Sequence, residues 1–191
     1  MFDDSARGKT LSSALILLTE KGFHSVSIHD IRKHAGVSTG AIYHHFGNKD
    51  EIAKTLFTEV LEHMTEQMDD ILLEEPTTYA RIKAVYAMAA NMVNTQPELT
   101  RFIIKQAHRE FLPDEKPLCV SEPFLRMKTI VQYGIKKGDI APMDIWVALS
   151  LTFGSLLRLI EYQLDGVLEK TADNYIDELL QHAWKSITQE D

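Results

Sequence analysis

The chain has 191 residues, of which 45% are hydrophobic and 25% charged, and its formal net charge is −8. This balance excludes a disordered or fibrous chain and fits one ordinary domain, or a small domain joined to a medium one, whose core needs no disulfide or metal. The single cysteine, Cys119, excludes an intrachain disulfide and agrees with a reducing cytosol.

The sequence carries no recognisable targeting or membrane segment. Residues 1–4 are Met-Phe-Asp-Asp, an acidic start without the apolar stretch of a signal peptide. No window approaches the ~18 uninterrupted apolar residues of a membrane-spanning helix. We therefore expect a cytoplasmic protein without a membrane partner.

The first quarter of the chain predicts three short helices. Apolar side chains within residues 11–18 recur at helical spacing and predict a first helix that Gly22 ends. Ser27, three residues before Asp30, predicts the N-cap of a short second helix. After a break containing Gly36, a third short helix is expected to run through Phe46. This order of short helices is typical of a compact helical head.

The remainder of the chain also reads as helix. Residues 48–51 resemble a capping box that opens a long fourth helix, which ends near Pro76. Thr77 or Thr78 is expected to cap the fifth helix, and residues 112–117 predict a loop. Further helices are predicted at about 77–94, 99–111, 124–137, 143–164 and 171–187. Because no run of residues predicts a strand, the fold class is all-α with about nine helices.

Charge is distributed unevenly between the head and the rest of the chain. Residues 1–50 hold six Lys or Arg and five acids, a net charge of +1, which leaves 14 and 23, a net of −9, for the other 141 residues. Five of the eight histidines also lie in residues 1–50. This asymmetry suggests a DNA-facing head on an acidic body.

Residues 27–46 have the pattern of a helix-turn-helix, two short helices joined by a tight glycine-containing turn. Gly36 can adopt the positive φ of such a turn, and Ala35 is small enough to let the helices approach. Ile42 and Phe46 give the second helix a buried side. Its exposed side is small and polar, which suits a recognition helix in the major groove.

These residues resemble the DNA-binding signature of TetR/AcrR-like transcriptional regulators. The match extends without gaps over residues 11–57 and is carried by Gly22-Phe23, Ser27, Ile31, residues 35–38, Gly40, residues 42–46 and Lys49. The sequence departs from the usual pattern at Arg32 and Lys33, where the family often has alanine and a polar residue. The resemblance implies an N-terminal three-helix DNA-binding domain at residues 1–47. It also implies a helical ligand-binding and dimerisation domain at residues 48–191.

The resemblance implies roles for individual residues of the head. Tyr43, His44 and Lys49 are expected to contact phosphates, with His44 also within reach of a base edge. Base contacts are expected mainly near the start of the recognition helix. Since none of Thr39, Gly40 and Ala41 is an Arg, Asn or Gln that could form two hydrogen bonds to one base, part of the specificity is expected to come from Arg32, from contact with the thymine methyl group or from DNA shape. The predicted DNA-binding residues are Ser27, Arg32, Ser38, Thr39, Gly40, Ala41, Tyr43, His44 and Lys49.

Two sets of residues are predicted in the body. Adaptable apolar side chains and a few polar groups are candidates for a small-molecule cavity: Met64, Met68, Met88, Met92, Phe102, Gln106, His108, Arg109, Phe124, Met127 and Phe153. Residues 145–162 are apolar nearly all round, so a second subunit is expected to cover one side of that helix. The predicted dimer residues are Trp146, Leu149, Phe153, Leu157, Ile160, Tyr175, Leu179, Ala183 and Trp184.

The expected function is a homodimeric bacterial regulator, a repressor released from a palindromic DNA operator by a small-molecule effector. One alternative is a protein of the same fold whose body binds a protein partner instead. A second alternative is a helical enzyme or binding protein whose head no longer binds DNA. No phosphate-binding or dinucleotide-binding glycine motif and no zinc motif is present, so neither an enzyme, a cofactor nor a metal site is expected.

Overall fold

The computed structural model describes residues 1–105 and 117–188, and these residues form nine α-helices. They are α1 (Ala6–Lys21), α2 (Ile28–Ala35), α3 (Thr39–His45), α4 (Lys49–Glu74), α5 (Thr78–Thr95), α6 (Pro97–Lys105), α7 (Glu122–Lys137), α8 (Ile145–Leu164) and α9 (Ile176–Ile187). No strand occurs among the described residues, so the predicted all-α class is confirmed.

The chain divides into two compact units. The first comprises Met1–His63 with Glu98–Pro117, and the second comprises Met64–Pro97 with Leu118–Asp191. We call them the head and the body.

The helices α1 to α3 and the start of α4 lie at the residues that the sequence predicted. Gly22 follows α1 with a φ of 79° and donates its N–H to the carbonyl of Leu18. Ser27 and Asp30 form a capping box at the start of α2, and the Asn48 side chain accepts the N–H of Glu51 at the start of α4. Each side chain satisfies a backbone N–H that the first turn of a helix leaves unpaired.

The helices α6 to α9 differ from the predicted bounds by a few residues. α6 begins at Pro97 because proline fits the first turn of a helix, where its missing N–H is not needed. α8 begins at Ile145 because the Asp144 side chain caps it by accepting the N–H of Trp146. Residues 172–174 form a 3₁₀ turn, so α9 begins at Ile176 and not near residue 171.

α8 contains one π-helical turn, Ser150–Gly154. The buried Tyr86 of α5 donates its hydroxyl to the carbonyl of Thr152 at 2.6 Å, within this turn. Burial raises the pKa of Tyr86 above its ordinary value of 10.0. The π turn is therefore held by a hydrogen bond from a neutral phenol on a neighbouring helix.

α8 is also long and apolar enough, by length and composition, to cross a membrane. One such helix is weak evidence for a membrane span because core helices of other proteins pass the same test. Only 28% of its most apolar window is buried within the chain. Much of this helix therefore presents apolar surface outward.

Candidate DNA-binding surface and ligand cavity

The turn between α2 and α3 depends on one glycine. Gly36 has a φ of 65° and a ψ of 28°, a left-handed conformation that costs other residues about 1–2 kcal/mol. Its N–H donates to the carbonyl of Arg32 and closes α2. Ile31 and Ile42, which are 0% and 1% exposed, then anchor the two helices in the core of the head. The helix-turn-helix geometry thus follows from a glycine and two apolar anchors.

The outer face of α3 is open and polar. Thr39, Gly40 and His44 are exposed, and Tyr43 is 54% exposed although it is a large aromatic residue. Ala41 is half-buried, and its N–H is accepted by the side chain of Ser38 at 3.1 Å. A face of this size and polarity fits the major groove of duplex DNA.

A groove of about 430 Å³ brings several of the predicted phosphate-contacting residues together. It is formed by the 3₁₀ turn Phe23–Ser25, the starts of α2 and α4, and Tyr43 from α3. Ser27, Tyr43 and Lys49 all line it, although 22 positions separate the first from the last. The lining residues are His24, Ser25, Val26, Ser27, Ile28, Asp30, Tyr43, Gly47, Asn48 and Lys49.

Lys49 has a second role that the sequence did not indicate. Its ammonium donates to the carbonyls of Phe23 and Val26, each at 2.8 Å, and lies 4.0 Å from the centroid of the Phe23 ring. These contacts engage two of the three N–H groups of the ammonium. Lys49 therefore ties the start of α4 to the turn between α1 and α2, with one N–H left for a further acceptor.

The hydroxyl of Ser27 is also engaged within the head. It donates to the carboxylate of Asp30 at 2.5 Å and accepts the N–H of Asp30 at 3.1 Å. The hydrogen bonds from the Ser27 hydroxyl and N–H lower the pKa of Asp30 below its ordinary value. To donate to a phosphate, the Ser27 hydroxyl would have to break its hydrogen bond to the Asp30 carboxylate.

A second cleft, of about 150 Å³, lies between α2 and α3. It places Arg32 next to Thr39 and Tyr43, so the predicted residues from the two helices share one surface. The exposed His29, which the prediction omitted, also lines this cleft. Its position three residues before Arg32, on the same face of α2, was the signal in the sequence.

The body contains an apolar cavity of about 230 Å³ between α7, α8 and the 3₁₀ turn Leu118–Val120. Three predicted ligand residues, Phe124, Met127 and Phe153, line it. The wall is completed by Cys119, Trp146, Leu149, Ser150, Gly154 and Leu157, so it carries no charged side chain among the described residues. Lys128 lies just outside, with its ammonium 4.9 Å from the Trp146 ring centroid.

The other predicted ligand residues that the structure describes do not line this cavity. Met64, Met68 and Met92 are buried in the body and Met88 is half-buried there, while Phe102 is a fully buried core residue of the head. Gln106, His108 and Arg109 lie outside the described residues. Methionines at helical spacing fill a core as readily as they line a pocket, so the pattern did not distinguish the two.

The predicted dimer residues fall into several environments. Phe153, Ile160 and Ala183 are buried within their own chain, at 3%, 1% and 7% exposure, and so are not available to a partner. Trp184 packs edge-on against Tyr79 with ring centroids 5.1 Å apart, and Tyr175 and Leu179 are half-buried. Trp146, Leu149, Phe153 and Leu157 line the cavity.

The outward stripe of α8 is displaced by about one position from the predicted one. It consists of Val147, Leu151, Gly154, Arg158 and Tyr162, all exposed. Arg158 forms an ion pair with Glu161 of the same helix at 2.7 Å. Since α8 is apolar on most sides, its periodicity predicted an exposed apolar side but not which residues would form it.

An all-helical head with an exposed polar recognition helix defines a helix-turn-helix DNA-binding protein. Residues 11–56 match the family model described as bacterial regulatory proteins, tetR family, and residues 57–189 match the one described as tetracyclin repressor-like, C-terminal domain. The chain therefore belongs to the TetR family of DNA-binding transcriptional regulators, as its head predicted.

Similar proteins include other bacterial regulators, of which YdeS is described as uncharacterized. The Fatty acid metabolism regulator protein of Bacillus subtilis is 26% identical over 151 residues, which cover 76% of this chain and 77% of that protein. The HTH-type transcriptional regulator YdeS of Bacillus subtilis is 26% identical over 97% of this chain and 91% of its own length. Among solved structures, FadR of Bacillus subtilis in complex with stearoyl-CoA has a TM-score of 0.80 at 21% identity, covering 94% of this chain and 98% of that one.

Proposed function

We propose that this regulator is a homodimeric repressor that leaves a palindromic operator when its body binds a small molecule with an apolar portion. The observation that carries the DNA-binding surface is Tyr43, whose ring is 54% exposed beside a groove that also contains Ser27 and Lys49. More than half of this large aromatic residue is exposed, so burial in the core does not explain its position. It is well suited to donate to a phosphate oxygen.

We assign the phosphate contacts to Tyr43, His44 and the remaining N–H of Lys49, with Ser27 and Ser38 at the ends of the contacted segment. Base contacts fall to Thr39, Gly40 and Ala41 at the start of α3, with Arg32 reaching from α2. His29 joins this set because it lines the same cleft as Arg32 and Thr39. With the boundary predicted between residues 47 and 48, all of these contacts lie in the DNA-binding domain except that of Lys49, which comes from the start of α4.

A dimer is supported by the apolar surface that α8 leaves uncovered. Val147 is 51% exposed, Leu151 39% and Trp146 53%, an apolar patch that a second copy would bury. Two recognition helices of a dimer enter successive major grooves about 34–36 Å apart on a palindromic site. We place this assembly in the cytoplasm, where its DNA target lies.

The effector proposal rests on the apolar cavity in the body. A cavity walled by aromatic and aliphatic side chains favours a ligand with an apolar chain or ring system. The relative from Bacillus subtilis was solved with stearoyl-CoA, and acyl-CoA thioesters are therefore the first class to test. A body that docks only a protein partner requires no such cavity, so the small-molecule alternative is the stronger one.

The operator is found by binding the purified protein to a library of genomic fragments and sequencing those retained, followed by a salt series on the best fragment. We expect a palindromic site whose affinity falls steeply with salt, because phosphate contacts release counterions. Adding acyl-CoAs of increasing chain length should then release the fragment. The absence of any enriched fragment at low salt would contradict the DNA-binding assignment.

A further inference from the structure

The cavity of the body is a groove along one helix. Six of its nine wall residues come from α8, at spacings of three or four positions that place them on one side of the helix. From the first to the last of them α8 rises roughly 16 Å, at 1.5 Å per residue. These six residues are Trp146, Leu149, Ser150, Phe153, Gly154 and Leu157.

Part of this wall is also outer surface. Trp146 is 53% exposed, and Ser150 and Gly154 are exposed as well, although all three line the cavity. Cys119, on the opposite wall, is exposed too. The cavity therefore opens along the edge of α8 where the outward stripe begins, and the described residues leave that side without a wall.

The outward stripe has the composition of a surface that meets its own copy. At its centre lies Gly154, which has no side chain. No atom lies within 4 Å of the position that a Cβ would occupy there, so a second helix can approach closely. Val147 and Leu151 flank that centre on one side, with Arg158 and Tyr162 on the other. In a twofold dimer, the stripe of one chain packs against the same stripe of the other chain. The Arg158–Glu161 ion pair in the second half of α8 disfavours a lipid as the covering partner.

We propose that a second copy of this chain closes the open side of the cavity, so that an apolar ligand lies against both subunits and strengthens their association. This inference rests on the dimer and the effector cavity of the proposed function. The ligand portion that enters is uncharged, because the described wall side chains carry no charge and their polar groups are the Cys119 thiol, the Trp146 indole N–H and the Ser150 hydroxyl. That hydroxyl already donates to the carbonyl of Trp146 at 2.7 Å.

The π turn connects the cavity to the dimer surface. Within Ser150–Gly154, Phe153 is 3% exposed and faces the cavity, while the next residue, Gly154, is exposed on the stripe. A ligand that moves the Phe153 ring therefore acts directly on the backbone at the centre of the stripe. π turns inside α-helices are frequent at functional sites.

Thermodynamic linkage requires that dimerisation changes the ligand affinity by the same factor as the ligand changes the dimerisation constant. If dimerisation tightens ligand binding tenfold, the ligand must favour dimerisation through the same coupling free energy. A cavity complete within one chain would show no such coupling, even if the protein were a stable dimer.

The test compares Leu151→Glu with Leu73→Glu in the full chain. Leu151 lies on the outward stripe but does not line the cavity, whereas Leu73 of α4 is 85% exposed and serves as the matched control. The probe is the uncharged fluorescent dye N-phenyl-1-naphthylamine, and sedimentation velocity gives the oligomeric state. We expect Leu151→Glu to be monomeric and to bind the dye at least tenfold more weakly, while Leu73→Glu matches the wild type.

Cys119 gives a readout that needs no ligand. As the single cysteine, it is the only thiol to react with 5,5′-dithiobis(2-nitrobenzoate). We expect its reaction rate in the wild type to fall at least tenfold as the protein concentration rises through the dimer midpoint, and to stay fast at all concentrations in Leu151→Glu.

The outcomes separate this inference from the proposed function. A monomeric Leu151→Glu that binds the dye as tightly as the wild type would overturn the shared cavity while leaving the effector site intact. A wild type that is monomeric, or a Leu151→Glu that remains dimeric, would overturn the dimer assigned to this face and the inference with it. A wild-type dimer that does not bind the dye would overturn both the effector cavity and the inference.

Discussion

The head and the body differ in the kind of residue that forms their functional surfaces. In the head, exposed polar side chains within residues 27–49 project from helices whose ends are fixed by local caps. In the body, the cavity is bounded by apolar residues spread over positions 119–157, and most of them are at least partly buried. The head therefore presents hydrogen-bond donors on its surface, whereas the body encloses an apolar cavity.

This difference determines how each region responds to substitution. A polar contact surface can lose one donor without disturbing the fold beneath it, because the donor already faces solvent. The buried residues of the cavity wall, such as Phe153, belong to the core, so a change there alters stability and ligand binding together. The following variants test whether the two regions separate in this way.

The largest effect is expected for Phe46→Ala. Phe46 is 4% exposed, and truncating a buried phenylalanine costs about 3–5 kcal/mol. We expect the head to melt early in far-UV circular dichroism and DNA binding to be lost. Both tryptophans, Trp146 and Trp184, lie in the body, so their fluorescence should retain its transition. Fluorescence and dichroism that shift together would mean that the two regions unfold as one.

Next come Tyr43→Phe and Lys49→Ala, which we expect to weaken DNA binding about tenfold on operator and non-operator DNA alike. Removing the Lys49 charge from a phosphate lowers the salt slope of log K by about 1, whereas Tyr43→Phe removes no charge and leaves the slope unchanged. Fluorescence anisotropy at several salt concentrations measures both quantities.

The exposed Tyr79 and Lys83 of α5 provide matched controls, Tyr79→Phe and Lys83→Ala, that should bind like the wild type. For Lys49 the slope decides between its two roles. Weakened binding with an unchanged slope would mean that Lys49 supports DNA binding only through its contacts to the Phe23 and Val26 carbonyls, and not through a phosphate. Unchanged affinity in Tyr43→Phe would remove the phosphate assignment of that hydroxyl.

A pair of glycines in the head gives opposite signs. Gly36→Ala places a Cβ at a φ of 65° and should cost about 1–2 kcal/mol of stability. Gly40→Ala lies within α3, where a Cβ meets no atom within 4 Å, so it should add about 0.5–1 kcal/mol. Urea unfolding measures both. Equal destabilisation by the two variants would show that Gly36 is not required for its backbone conformation.

A similarly small effect is expected in the body, for Tyr86→Phe. Removing the hydrogen bond to the Thr152 carbonyl should cost about 1 kcal/mol. Because the pKa of Tyr86 is raised in the folded state, its contribution is present below about pH 10 and is lost as the pH rises through the folded pKa. The difference between wild type and variant in urea unfolding should therefore shrink at high pH. A difference that is constant with pH would contradict the buried neutral phenol.

The sequence predicted the head nearly residue by residue. The Ser27–Asp30 capping box, the Gly22 and Gly36 ends of helices and the buried Ile42 are local features, since each involves residues at most a few positions apart. It missed the tie from Lys49 to the Phe23 and Val26 carbonyls because that contact joins residues 23–26 positions apart. It also missed His29, whose neighbours become apparent only when α2 and α3 pack.

In the body the sequence determined that helices form and which stretches are apolar, because periodicity and capping are properties of neighbouring residues. Only the tertiary structure decided which side of α8 is buried, that Phe153 and Ile160 belong to the core, and that Val147 and Leu151 face outward. The physical reason is that α8 is apolar on most of its circumference. Its own pattern then has no preferred face, and the packing of α5, α7 and α9 around it selects one.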